Sequence, residues 1–206
     1  MKTGIKCRTV LCCLLAGASM AAAAAEPSSY TIDSRHTLAT FEINHLGFST
    51  QRGRFNNASG KIMLVPAQNS GSIEVSIDSA SIDMGLDAWD KIMRGEDFFN
   101  VEKFPAMTFK STKIVFDGDK VVGAEGDFTL LVVTRPVTLT VRGFACGTHP
   151  INKKALCGAD VTTTIRRSEF GMTKYLPGIS DDVVIEIPVE AFKDYIIERI
   201  QTKHTD

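Results

Sequence analysis

Four histidines, at positions 36, 45, 149 and 204, two late cysteines, Cys146 and Cys157, and an acidic group, Asp87, Asp90, Glu96 and Asp97, are the residues whose types could carry chemistry. Each meets an obstacle in its spacing. His36 and His45 do not have the separation of two ligands on one strand, so a solvent-facing role or a contact to a polar head group suits them better than metal. Cys146-x-x-His149 followed by Cys157 offers three zinc ligands and no fourth. The acids lack the D-x-D-x-D-G pattern of a calcium loop, and acids near a helix start are stabilised there by the helix dipole. G-x-S-x-G, H-E-x-x-H and Walker motifs are missing, and C-x-x-C does not occur after the leader. The expectation is a protein without a catalytic set, a metal or a cofactor.

The elements that position these residues begin after a leader. Lys2, Lys6 and Arg8 form a basic start, Val10 to Leu15 is a short apolar run, and Ala16 to Ala25 is rich in small residues with several A-x-A choices. This predicts a cleaved signal peptide over 1–25 and an exported domain over 26–206. The apolar run is too short for a spanning helix, so stable membrane insertion is not expected. Thr9-Val10-Leu11 lacks the small residue expected before a lipidated cysteine, which disfavours lipidation at Cys12 or Cys13. Loss of the leader removes three basic residues and no acids, taking the formal charge from −1 to −4 over the remaining 181 of 206 residues. Nothing in that balance suits nucleic acid, which requires clustered excess cations. Cys146 and Cys157 remain as an even pair in an oxidising compartment, and a disulfide is expected of them in preference to a metal site.

Period-2 alternation dominates the exported part. Phe41, Ile43 and His45 alternate with polar partners, as do Ile73, Val75 and Ile77. So do Met107 with Phe109, Phe128 with Leu130 and Val132, Val137 with Leu139 and Val141, Val161 with Thr163 and Ile165, and Val183 with Ile185 and Ile187. Turn residues lie at Asn56-Asn57, at Asp117-Gly118 and at Gly158, and the strands follow too closely for parallel crossovers. Leu86, Trp89 and Met93 break the pattern with helical spacing, predicting a short helix over 86–94, capped by Asp83 or Asp87 and ended by Gly95. The fold class expected is all-β: one closed antiparallel barrel of about eight strands with one short helix, a sandwich being the alternative.

Phenylalanine is the abundant aromatic, at 12 against 1 Trp and 3 Tyr. Such residues either fill a core or line a greasy cavity, and an eight-stranded barrel permits both.

The order of several stretches resembles the YceI-like family of periplasmic polyisoprenoid-binding proteins. They are Phe41-Glu-Ile-Asn-His45-Leu-Gly47-Phe48 with Gly53-Arg-Phe55, Asp97-Phe98-Phe99-Asn100 with Lys103-Phe104-Pro105, Gly126-Asp-Phe128-Thr-Leu130 with Thr134-Arg135-Pro136, and Arg167-Ser168-Glu169-Phe170-Gly171-Met172. The resemblance covers about residues 30 to 192. It implies a lipocalin-like barrel in the periplasm, holding a long isoprenoid or fatty amphiphile, with no established enzymatic activity. Where the family commonly carries His-Leu before an arginine, this sequence has Ile92-Met93 before Arg94.

The lining expected of such a barrel is Phe41, Ile43, Phe55, Trp89, Phe98, Phe99, Phe109 and Leu130, with His45 and Arg94 as candidates for a polar head group. The function expected is that of an exported carrier or scavenger of a polyisoprenoid chain, a quinone or its precursor. The competing readings are a stress-related structural protein with a filled barrel and an enzyme acting on a bound isoprenoid. A homodimer is the default assembly, with no exposed apolar stripe in the sequence to locate its face.

Overall fold

The computed structural model describes residues 27–195. The leader and His204 lie outside the described residues. In chain order the elements are β1 (Ser28–Ile32), β2 (Ala39–His45), β3 (Ser49–Phe55), β4 (Ala58–Val65), β5 (Ser70–Asp78) and β6 (Ile82–Asp83). Then come α1 (Asp87–Arg94), β7 (Ala106–Asp117), β8 (Lys120–Leu130), β9 (Val133–Thr148), β10 (Ala155–Arg166) and β11 (Ile179–Lys193). No helix among them is long and apolar enough to cross a membrane.

All pairings are antiparallel, and the circuit β1-β4-β5-β7-β8-β9-β10-β11 returns to β1, closing an eight-stranded barrel. Closure leaves no free edge along that circuit, which is how a β protein of this size avoids edge-to-edge association. The long strand β11 serves two neighbours: Ala191 to Lys193 pair with β1, while Ile179 to Glu186 pair with β2. Strands β2, β3 and β6 therefore extend the wall at the end of the barrel where α1 lies. At the opposite end Asp194 clips the seam, accepting from the Ser29 and Thr31 hydroxyls at 2.7 and 2.6 Å and from Lys61 Nζ at 2.9 Å. These bonds pull its carboxyl down to a pKa of about 2.

The alternating runs became strands because each has an apolar face to bury and a polar face that can stay wet. Four elements, β1, β3, β4 and β6, were not foreseen. Ser49-Thr-Gln-Arg-Gly-Arg carries too few apolar residues to read as a strand, and β6 is only two residues long. Val132 is 78% exposed at the β8–β9 turn and does not continue its strand's inward face. Gly158 is not a turn but sits inside β10, where the register with β9 shifts between Gly158 and Asp160. Asn56-Asn57 joins β3 to β4, which do not pair with each other. The β7–β8 turn does use Gly118, at φ +62°. The helix begins one residue later than expected and has no side-chain cap at Leu86; Asp83 instead accepts from the Gly85 amide and Asp90 from the Met84 amide. Cys146 and Cys157 face one another across β9 and β10 and are disulfide-bonded. With both sulfurs joined, and the His149 ring accepting from the Ile151 and Asn152 amides, the three-ligand zinc reading is set aside.

Candidate ligand-binding cavity

The inward faces do not meet. They enclose one cavity of about 520 Å³ that runs through the barrel. On β11 the lining residues are Ile179, Val183, Ile185, Ile187, Val189 and Ala191. At about 3.3 Å per residue and a strand tilt near 40°, they span roughly 30 Å along the barrel axis. An interior that holds one benzene in about 150 Å³ sets a scale, on which this cavity takes roughly twenty carbons.

Close backbone approaches shape the walls. A Cβ on Gly126 would lie 2.6 Å from the Phe109 ring, and one on Gly53 would lie 2.5 Å from the Phe41 ring. Glycine at these two places lets both rings lie flat against a neighbouring strand. Phe98 and Phe99 enter from the segment after α1, where their amides donate to the Gly95 and Met93 carbonyls.

One end is open. Among the lining residues only Trp89, Ile92 and Tyr175 are exposed, at 42, 56 and 59%, and all three belong to α1 or to the segment before β11. Phe98 packs 6.2 Å from the Tyr175 ring, so these two elements form adjoining parts of the rim. The β2–β3 hairpin is the third part, its Leu46 amide donating to the Gly178 carbonyl at 2.7 Å. Leu46 and Gly47 hold φ of +58° and +73° in the three-residue connection from His45 to Ser49, where the Phe48 amide donates to the His45 carbonyl, a backbone that suits the twist of a hairpin. At the other end the lining residues are Tyr30, Phe144 and Cys157.

Polar groups in the lining are few and dispersed. His45 and Gln51 stand near the mouth, Thr37, Thr40 and Thr163 along the walls. Arg167 is the buried cation, 2% exposed, and its guanidinium donates to the carbonyls of Ser180, Met172 and Ile179 at 2.8, 3.0 and 2.9 Å. Burial pushes its pKa below the ordinary arginine value, opposed by the Asp181 charge. Among the described residues no three His, Cys, Asp or Glu side chains converge on a metal position.

Phe41, Ile43, His45, Phe55, Trp89, Phe98, Phe99, Phe109 and Leu130 all line the cavity. Arg94 does not. Its guanidinium donates to the Ala80 and Ile82 carbonyls at 2.9 and 3.0 Å, tying α1 to the strand before it and leaving no reach into the lumen. Arg167 occupies the lining instead. The odd-numbered register of Val161, Thr163 and Ile165 carries on to it, a signal present in the sequence that went unused. The sulfur-bearing wall of Met84, Met93, Met107 and Met172 was also missed, because none but Met107 lies in an alternating run.

The profile of the YceI-like domain family matches residues 30–191. A UPF0312 protein of Ectopseudomonas mendocina is 31% identical over 189 residues, covering 90% of this chain and 98% of its own. One from Vibrio cholerae is 33% identical over 170 residues, covering 81% and 88%. Among solved structures, a Campylobacter jejuni YceI protein superposes with a TM-score of 0.61 at 28% identity, over 74% of this chain and 90% of that one. BcnA of Burkholderia cenocepacia superposes with a TM-score of 0.66 at 23% identity, over 77% and 98%. A polyisoprenoid binding domain from Saccharophagus degradans, implicated in plant cell wall breakdown, shares the fold at a TM-score of 0.58 and 14% identity, over 80% and 98%.

Proposed function

The chain belongs to the YceI-like domain family, and we propose that it is an exported carrier that sequesters one long-chain polyisoprenoid, a quinone, its precursor or a similar amphiphile, inside the barrel. The observation that carries this reading is the cavity: about 520 Å³ of apolar lumen, open at one end and continuous to the other. A structural barrel would have filled that space, since an unfilled apolar void forfeits contacts on every wall. The polyisoprenoid-binding neighbour supports the ligand class by likeness of fold.

Affinity would come from burial of methylenes at about 0.8 kcal/mol each, so tail length matters more than head-group identity. Phe41, Ile43, Phe55, Trp89, Phe98, Phe99, Phe109 and Leu130 serve as the contact surface, with His45 at the mouth as the polar neighbour of a head group. The signal-like leader over 1–25 and the disulfide support reading this as an exported, periplasmic activity.

Native mass spectrometry of the protein purified from its own periplasm, followed by solvent extraction of the bound species, tests the reading. A stoichiometric isoprenoid adduct is the expected result. Protein that comes through lipid-free, and takes up no long-chain isoprenoid offered in detergent, overturns it.

A further inference from the structure

Large apolar side chains left in solvent are unevenly placed. Met63, Val122 and Val184 are scattered over the outer wall, Val132 stands on the β8–β9 turn, and Ile151 and Tyr195 lie at the far end, where the Tyr195 hydroxyl accepts from the Ala155 amide, whereas six others ring the mouth. Leu46 and Phe48, 55 and 90% exposed, project from the β2–β3 hairpin. Leu86, Trp89 and Ile92 mark an exposed apolar side of α1, and Tyr175 stands on the segment leading into β11. Isolated exposed apolar residues need no explanation, but a ring of them from three elements around one opening does.

We propose that this ring is a bilayer-docking surface, on which the protein seats its mouth against a zwitterionic membrane while a chain passes between membrane and lumen. The inference rests on the carrier reading above.

Two observations select a lipid surface over a protein partner. Trp89, Ile92 and Tyr175 belong to both the cavity lining and the exposed rim, so the apolar surface runs unbroken from lumen to exterior. A protein seated there would cap the opening. A bilayer instead continues the same apolar medium, and a chain crossing that junction never exposes its methylenes to water, each of which would otherwise oppose transfer. Trp and Tyr are also the side chains that favour the membrane interface, with an apolar body and a polar tip.

Some charges near the mouth are paired with one another, Lys174 with Asp97 at 3.0 Å, Arg52 with Glu42 at 2.6 Å and Arg166 with Asp181 at 3.3 Å, and the exposed Asp87, Lys91 and Glu96 on and after α1, outside these pairs, carry no net positive charge. That leaves no strong field to demand an acidic surface, so attachment should be apolar and nearly independent of salt.

The test uses the full exported protein with unilamellar phosphatidylcholine vesicles. Trp89 is the sole tryptophan, so its emission reports the mouth directly. The expected result is co-flotation with the vesicles, a blue shift of Trp89 emission and quenching by brominated phosphatidylcholine. The double variant Phe48→Asp/Leu86→Asp, at two residues outside the lining, should lose at least tenfold in vesicle partitioning while chain uptake in solution and melting temperature stay unchanged. Ile151→Asp, at the far end, should partition like the parent.

Absence of partitioning in a protein that takes up chain normally overturns the docking inference. Binding only to phosphatidylglycerol vesicles, reversed by salt, overturns it in favour of an electrostatic surface. A concentration-dependent dimer that the double variant abolishes, without vesicle binding, assigns the ring to a second copy and likewise overturns it. Failure of chain uptake itself refutes the carrier reading, and vesicle partitioning is measured separately from it.

Discussion

The Phe55 and Phe99 rings meet edge to face, with centroids 5.1 Å apart and planes at 86°, locking the last residue of β3 to the segment that follows α1. Phe41 leans on Phe55 with centroids 5.9 Å apart, so the wall beneath the mouth is a chain of aromatic contacts joining elements distant in sequence.

Phe99→Ala should therefore cost about 3 kcal/mol of unfolding free energy, at the lower end of large-to-small core changes because one side of the ring already borders a void. Urea unfolding followed by far-UV circular dichroism measures it. A midpoint equal to the parent's would show that the contact contributes nothing.

Ala124 is completely buried and lines the lumen on β8, opposite Ile114 and Leu139 in the flanking strands. Ala124→Phe adds a ring that takes up roughly the 150 Å³ a benzene occupies. The folded variant should retain fifteen-carbon isoprenols but lose its preference for twenty-carbon ones, read by native mass spectrometry of mixtures. An unchanged preference would mean that bound chains stop short of Ala124.

Joining Cys146 to Cys157, eleven positions apart, restricts the unfolded chain by about 3 kcal/mol in the loop-entropy treatment. The Cys146→Ala/Cys157→Ala variant should still form the barrel, since the two strands are paired beyond the bridge, but melt roughly 6–12 °C lower. Differential scanning calorimetry with and without reductant on the parent provides the same comparison.

Asp194 supplies a pH dependence of defined sign. Its hydrogen bonds from Thr31, Ser29 and Lys61 hold its folded pKa at about 2, below the ordinary aspartate value of 3.8. The folded protein thus holds the carboxylate ionised where the unfolded chain would protonate it, so the stabilisation is fully present above pH 4 and is lost as pH falls towards 2. Asp194→Asn should cost about 1 kcal/mol at neutral pH and flatten the decline between pH 4 and 2. Denaturant melts across that range decide it, and an equal slope in both proteins would exclude Asp194 as a source.

Much of this was legible in the sequence because a barrel wall has the simplest of codes. Alternation at Ile73–Ile77, Val137–Val141 and Val183–Ile187 states which side chains face inward whatever the strands' neighbours, since successive residues of a strand point to opposite faces. The helix and the cysteine pairing were local matters of spacing and compartment in the same way. What the sequence could not carry was anything set by contacts across the barrel. The strands β1, β3 and β6 hold their places through partners rather than through their own apolar content, and β11 gains two neighbours on one side only once the barrel has closed. Arg94 and Arg167 look alike as residues, yet the first is spent on Ala80 and Ile82 while the second, in the turn just after β10, is held in the lining by the Ser180, Met172 and Ile179 carbonyls. Composition alone permitted a filled barrel or a hollow one. That outcome depended on how far apart opposing walls stand, a distance fixed by strand number, tilt and the glycines at 53 and 126 together, and visible only when the sheet is closed.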